Sequence, residues 1–309
     1  MSTTSIQDSA LAKTLRRETT AEVLFDDFSR GLYSTDASIY QIMPLGVVVP
    51  KTEEDVRTTL NIAYENGISV TMRGGGTSQC GQTVGEGIIV DVSKNLNSLI
   101  SVDPEKRQAS VQPGIVLDQL NDRLKKHGLF FPVDVSTSSR ATIGGMTANN
   151  SCGARSIRYG KMVDNVREVD AVLADGSSMS FGKWDDGTAS ATPERQQKLV
   201  SQLIKLGTRE SEEVARRFPR VQRRVGGYNL DVLSAESGSS LNLAQLLVGS
   251  EGTLAVSSQI SLNLQPIPEH KVLGVCHFPT FYQAMETTQH LVELEPDAVE
   301  LVDQTMLEL

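Results

Sequence analysis

The sequence predicts an α+β fold of two lobes, a small α/β lobe followed by a larger lobe of mixed and antiparallel strands. Three observations predict it. Strand, helix and strand alternate within the short span from GVVVP at 46–50 to GIIVDV at 87–92, the spacing of a compact α/β unit. Further on, VREVDAVLAD and GSSMSF are joined through Asp175-Gly176, a hairpin signal and hence an antiparallel connection. Helical stretches fall outside strict βαβ alternation, which favours α+β over a doubly wound sheet.

Residues 1 to about 43 read as an N-terminal arm, helical at first and then polar, with AEVLFDDF leading into SRGLYSTDAS. The small lobe, about 44–105, contains a helix that opens at Thr52 with Asp55 in a capping box and stops at Gly67. Strand residues Ile68 to Thr71 then run into TMRGGGTSQCG at 71–81. The larger lobe, 106–268, opens with ASVQPGIVLDQLNDRLKKHG, in which Leu117, Leu120 and Leu124 share one helical face. His127 precedes Gly128 at that helix's end, where a cation suits the dipole. More helix is expected between about 193 and 218. The lobe closes with LLVGSEGTLAVSSQISLNL, where Ile260, Leu262 and Leu264 alternate as in a strand.

A third unit begins at 269. HKVLGVCHF reads as a strand that points His270 and His277 to opposite faces, so no joint metal site is expected there. Thr280 with Gln283 caps a helix, and Asp297 with Glu300 caps a second. The chain reaches Leu309 inside that second pattern without a stop signal, which predicts a longer protein and an incomplete α+β unit over 269–309.

Asp and Glu (38) outnumber Lys and Arg (29), and the net charge of -9 is the wrong sign for a general nucleic-acid binder. Cys80, Cys152 and Cys276 are widely spaced, so neither a disulfide framework nor a zinc or iron–sulfur site is written in the chain. No signal-peptide core or membrane-length apolar run occurs in the sequence. A cytoplasmic protein is expected, and the apolar positions Val299, Val302 and Met306 predict association into homo-oligomers.

The glycine loop invites two nucleotide motifs. The dinucleotide fingerprint fails because its last glycine would fall at Gln79. The Walker A spacing holds from Gly76 to Gly81 with Thr83 in place, but Gln82 occupies the lysine position and brings no cation to a terminal phosphate. What remains is a run of amides able to form an anion-binding nest, suited to a pyrophosphate that is bound and not cleaved; an ordinary turn between strands is the alternative. A second constellation, PVDVSTSSRATIGGMTANNSCG at 132–153, combines bare backbone with hydroxyls and amides, as a pocket for a flat ligand would. Cys152 within it reads as a small packing residue. A third glycine-rich turn, VGSEGT at 248–253, precedes the last strand of the lobe.

Taken in this order, RGGGTS, PVDVSTSSRATIGG with NNSCG, GYNLD at 227–231 and VGSEGTLAV resemble the flavin domain of the vanillyl-alcohol oxidase superfamily, the PCMH-type FAD-binding domain. The nearest branch in appearance is the dehydrogenases of D-2-hydroxyglutarate, D-lactate and glycolate. The N-terminal FSRGLYSTDASIYQIMP resembles the long members in which an iron–sulfur half follows the flavin half.

The resemblance implies that Arg73, Gly74, Gly75, Gly76, Thr77 and Ser78 hold the pyrophosphate of FAD. It implies that Pro132, Asp134, Ser139, Thr142, Ile143, Gly144, Gly145, Asn149 and Gly153 border the ribityl chain and ring, and that Glu251, Gly252, Thr253 and Val256 close the adenosine side. It further implies oxidation of a small anionic D-2-hydroxy acid to the 2-keto acid, with an unspecified electron acceptor. Catalytic residues are not identified; Arg155 and Arg158 are the local candidates for the substrate anion. The cap domain, any metal ion and any iron–sulfur cluster would belong to sequence beyond residue 309. Two alternatives stay open, a UDP-N-acetylmuramate reductase-like flavoenzyme using NADPH and a non-catalytic FAD-binding module.

Relatives with covalent flavin carry histidine where this chain has Thr77, so the resemblance implies non-covalent FAD. Acid precipitation of the holoprotein should leave yellow FAD in the supernatant; colour retained in the pellet would contradict this.

Overall fold

The computed structural model describes residues 9–233 and 241–308; residues 1–8 of the expected arm and Leu309 lie outside them. The arm carries helices α1 (Ala10–Glu18) and α2 (Asp27–Leu32), but between them strand β1 (Glu22–Leu24) pairs antiparallel with β2 (Gly46–Val49). The arm is therefore not helical alone. Val23 and Phe25 are buried, and burial of these two side chains draws EVL, with Phe25 just after it, onto the sheet edge.

After β2 come α3 (Glu53–Glu65), β3 (Val70–Arg73) and β4 (Ile88–Asp91). The sheet order is β1-β2-β4-β3, with β4 parallel to both of its neighbours. Both faces of β2 and β4 are buried, as is usual for parallel strands. On one face Leu15 of α1 packs with Val56 and Leu60 of α3. On the other, Val47, Val49 and Ile89 pack against Leu24 and Tyr33 of the arm. The capping box of α3 forms as expected, and Gly67 follows in the left-handed region at φ 63°.

The larger lobe begins with β5 (Leu99–Asp103), β6 (Gln108–Val111), α4 (Leu117–Leu124) and β7 (Leu129–Phe130). Helices α5 (Ile143–Asn149), α6 (Ser156–Tyr159) and α7 (Met162–Asn165) lead into β8 (Val166–Val172) and β9 (Ser178–Phe181). There follow β10 (Lys183–Trp184), α8 (Asp186–Ala191), α9 (Glu194–Arg217), β11 (Leu241–Asn242), α10 (Ala244–Leu247) and β12 (Val256–Asn263). The main sheet is antiparallel throughout, in the order β5-β6-β12-β8-β9. Strand β12 enters its centre, and Ile260, Leu262 and Leu264 are buried in a core shared with Leu117, Leu120 and Leu124 of α4. The hairpin expected at Asp175-Gly176 joins β8 to β9. Among the described residues, no helix is long and apolar enough to cross a membrane.

The last segment departs from expectation. Residues 270–278, expected as a strand, form none: no described segment pairs with them, and Val272 and Leu273 are almost fully exposed. A strand's amides need a partner, so alternation in HKVLGVCHF is not enough. Thr280 does cap α11 (Phe281–Leu291), accepting from the Gln283 amide. The second helix does not start at Asp297; α12 covers Gln304–Glu308, with Asp303 accepting from the Met306 amide. Short β13 (Gln265–Pro266) pairs with β7.

Asp55 fixes the arm to the small lobe. Its buried carboxylate accepts from the Thr20 amide (2.7 Å) and hydroxyl, and from the amides of Lys51 (2.9 Å) and Thr52 (3.1 Å). Burial opposes its ionisation, but these donors outweigh burial and hold its pKa below the usual carboxylate value. Asp55→Ala should therefore cost about 3 kcal/mol in urea unfolding, because several buried donors lose their acceptor. The wild-type advantage should be full above the pKa of an unfolded carboxylate and disappear as pH falls through the lower folded value.

Candidate functional site

The crossover from β3 to β4, residues 74–87, leaves the sheet at the carboxyl end of β3 and borders a cleft of about 1200 Å³. This is somewhat above the roughly 300–1,000 Å³ of ordinary small-molecule sites. Its walls are the glycine loop, the segment 134–154 around α5, and residues 250–257, the turn that leads into β12 with the first residues of that strand. Residues far apart in sequence converge here because the first belongs to the parallel sheet, the second packs in the core of the larger lobe, and the third leads into the central antiparallel strand of that lobe.

Arg73, Gly74, Gly75, Gly76, Thr77 and Ser78 all line the cleft. So do Asp134, Thr142, Gly144, Gly145, Asn149 and Gly153, and on the third wall Glu251, Gly252, Thr253 and Val256. Three expected residues do not. Pro132 and Ile143 are buried, the latter in the first turn of α5, while Ser139 is exposed outside the cleft.

Several glycines are bare for a reason the sequence does not express. A β-carbon on Gly74 would overlap the Thr142 hydroxyl, one on Gly75 the Arg140 carbonyl, and one on Gly153 the Asp134 carbonyl. One on Gly144 would meet Pro113 at 2.6 Å. These positions let the backbone pack directly on a neighbouring segment, against backbone at Gly75 and Gly153 and against side-chain atoms at Gly74 and Gly144, and the cleft is a consequence of that packing.

Glu251 joins the three walls. Its left-handed backbone (φ 52°) turns the carboxylate towards Asn149 Nδ2, which donates at 2.9 Å, and Gln82 Nε2, which donates at 3.5 Å. The Glu251 amide donates to the Ala148 carbonyl at 2.9 Å. Partial burial pushes the Glu251 carboxyl above its ordinary pKa, against the opposing pull of Asn149 and Gln82. The GYNLD stretch secures this turn: buried Asn229 donates to the carbonyls of Gln245 (3.0 Å) and Val248 (2.9 Å), and Tyr228 shares a 2.7 Å hydrogen bond with the Thr253 hydroxyl.

The two arginine candidates lie outside the cleft. Arg158 pairs with Asp297 at 3.0 Å and donates to the Glu295 carbonyl; the Arg155 guanidinium sits 5.8 Å from the Phe130 ring centroid. Arg223, not expected, does line the cleft and donates to the Gly153 carbonyl at 2.6 Å. Its only sequence signal is the basic pair in RRVGGYN. Cys152 is half-buried in the cleft wall, and Cys80 is exposed beside it. Among the described residues there is no cluster of three potential metal ligands.

Residues 44–182 match the family of FAD binding domains. Over 294 residues, 93% of this chain, the sequence is 35% identical to the D-2-hydroxyglutarate dehydrogenase of Pseudomonas putida, of which it covers 29%. It is 29% identical over 289 residues to the glycolate oxidase subunit GlcD of Bacillus subtilis, covering 92% of this chain and 51% of that protein. The fold is similar to that of a solved alkyldihydroxyacetonephosphate synthase, with a TM-score of 0.66 and 18% identity over 93% of this chain and 46% of that one. The chain thus spans less than a third of the first relative and about half of the second.

The donor set of the cleft fits FAD. Among the described residues, the backbone amides from Gly74 to Ser78 have no hydrogen-bond acceptor, so consecutive donors on one cleft wall are free for the oxygens of a pyrophosphate. Asn150 adds a buried Nδ2 without a partner at the base of α5. Gly75→Ala should push the loop off the Arg140 carbonyl and reduce FAD affinity at least about tenfold, the scale of one well-made polar contact, with little change in far-ultraviolet circular dichroism. Full FAD occupancy in that variant would contradict the packing argument.

Proposed function

We propose that this chain, whose residues 44–182 match the family of FAD binding domains, is the FAD-holding part of an enzyme that oxidises a D-2-hydroxy acid, of the D-2-hydroxyglutarate or D-lactate type, to the 2-keto acid. The observation that carries the reading is the convergence of three loops on one cleft, with the unpaired amides of Gly74–Ser78 along one wall. The names of the relatives supply the substrate class.

When bound, FAD supplies the acceptor for the hydride that leaves the substrate α-carbon. The chain's own residues bind and orient. The amides of Gly74 to Ser78 take the pyrophosphate, and Thr77 leaves the attachment non-covalent. Asp134, Thr142, Gly144, Gly145, Asn149 and Gly153 border the ring and ribityl chain. Glu251, Gly252, Thr253 and Val256 close the adenosine side.

For the anionic substrate, Arg223 is better placed than Arg155 or Arg158, since it lines the cleft and is anchored on Gly153. An arginine presents a fixed fork that matches a carboxylate. The base that takes the hydroxyl proton, which must come within hydrogen-bond reach, lies in this reading outside the cradle. The domain division follows the same logic, with residues 44–268 as the FAD-binding part and 269–309 as the beginning of the substrate-covering unit.

Anaerobic mixing of the FAD-loaded chain with D-2-hydroxyglutarate, D-lactate, glycolate and, separately, NADPH tests the reading through the flavin absorbance. The expected outcome is full FAD uptake, slow or negligible bleaching by the acids and none by NADPH. Rapid bleaching by an acid would bring the catalytic base within this chain. Bleaching by NADPH alone would overturn the hydroxy-acid assignment in favour of a reductase.

A further inference from the structure

Arg73, the last residue of β3, lines the cleft, and its guanidinium is engaged by backbone carbonyls of the arm and of the crossover. Nη2 donates to the Thr35 carbonyl at 2.9 Å and Nη1 to the Thr83 carbonyl at 3.2 Å, while the group lies 5.6 Å from the centroid of the Tyr33 ring. The loop closes directly over it: a β-carbon on Gly76, which has φ 64°, would meet the guanidinium at 2.6 Å. The Tyr33 hydroxyl in turn donates at 2.6 Å to Asp91, a buried carboxylate at the end of β4.

Two more bonds tie the arm to this loop. Asp36 accepts from the Thr83 hydroxyl at 2.9 Å, and the Ala37 amide donates to the Gly76 carbonyl at 3.1 Å. The outgoing limb of the crossover at Arg73 and Gly76, and its returning limb at Thr83, are therefore both held by residues 33–37. So are the carboxyl ends of both parallel strands, through Arg73 and Asp91.

We propose that residues 33–37 and Arg73 form a positioning clamp that holds the amides of Gly74–Ser78 in their anion-binding shape, making the N-terminal arm part of the cofactor site. The inference rests on the reading of those amides as the pyrophosphate cradle. A glycine triplet has more backbone freedom than other sequences, and a nest accepts an anion only while successive amides converge. Fixing the loop beforehand lowers the ordering cost of binding. Arg73 is thus a positioning residue. Its rigid fork reaches one carbonyl of the arm and one of the returning limb, which the single ammonium of a lysine does not reproduce even though the charge is kept.

The test measures binding of FAD, of ADP, which carries the pyrophosphate half, and of riboflavin, which lacks it, to the wild-type chain and to Arg73→Lys, Thr83→Val and Tyr33→Phe. Thr83→Val removes only the bond to Asp36 and Tyr33→Phe only the bond to Asp91, so both serve if Arg73→Lys does not fold. The expected result is a loss of ADP affinity of about tenfold for Arg73→Lys and about threefold for the others, on the scale of single hydrogen bonds, with riboflavin affinity unchanged. Unchanged ADP affinity in all three variants, with FAD still bound by the wild type, would overturn the clamp and leave the cradle standing. Equal losses for ADP and riboflavin would reveal a general structural defect and also overturn it. A wild-type chain that takes up no FAD would overturn the cradle and the clamp together.

Discussion

The parallel pairing of β3 with β4 is the constraint from which the site follows. Neighbouring parallel strands cannot be joined by a tight turn, so the chain must leave the sheet at the carboxyl end of one strand and return to the start of the next. Here that crossing is residues 74–87, and no regular helix forms within it. A helical crossover would consume its own amides. A glycine-rich one leaves them unpaired at the carboxyl edge of the sheet, where open α/β sheets bind their ligands.

An irregular crossover must then be held by something other than helical hydrogen bonds. Two outside segments do this. The arm bonds to both limbs through Arg73, Thr83 and Gly76, and the stretch Arg140–Thr142 packs against the backbone of Gly74 and Gly75. Thr142 also caps α5, accepting from the Gly145 amide at 3.3 Å, so the same residue that limits the glycine loop starts the helix on the facing wall. Val172 of β8 lies in the core of the small lobe, with Val256 of β12 packed against it. The walls of the cleft are in this way extensions of two packed cores.

Charge works locally in this molecule. A chain with net charge -9 cannot attract an anionic cofactor through its overall field, and Arg73, the cation nearest the glycine loop, is engaged by carbonyls and a ring. Backbone amides answer that need without a mobile counter-charge. Glu251 sits on the opposite wall, its carboxylate held by Asn149 and Gln82, while partial burial raises its pKa above the ordinary carboxylate value.

Much of this was legible in the residues themselves. The capping box at Thr52, the N-cap at Thr280, the stripe Leu117, Leu120 and Leu124, and the alternation of Ile260, Leu262 and Leu264 are local patterns, and local patterns determine local elements because periodicity sets which side chains share a face. The glycine loop, the segment around Gly144 and the turn at Glu251 were visible as three separate stretches for the same reason. Only the tertiary structure decided the rest. It made EVL an edge strand, since β2 offered a partner, and left HKVLGVCHF unpaired, since no described strand did. It assigned the glycines to contacts with Thr142, Arg140, Pro113 and Asp134, turned Arg73 towards the arm, and placed Arg223 in the cleft while Arg155 and Arg158 stayed outside. Each of those outcomes depends on which distant backbone comes alongside, and that follows from strand order and packing, which no short window of sequence contains.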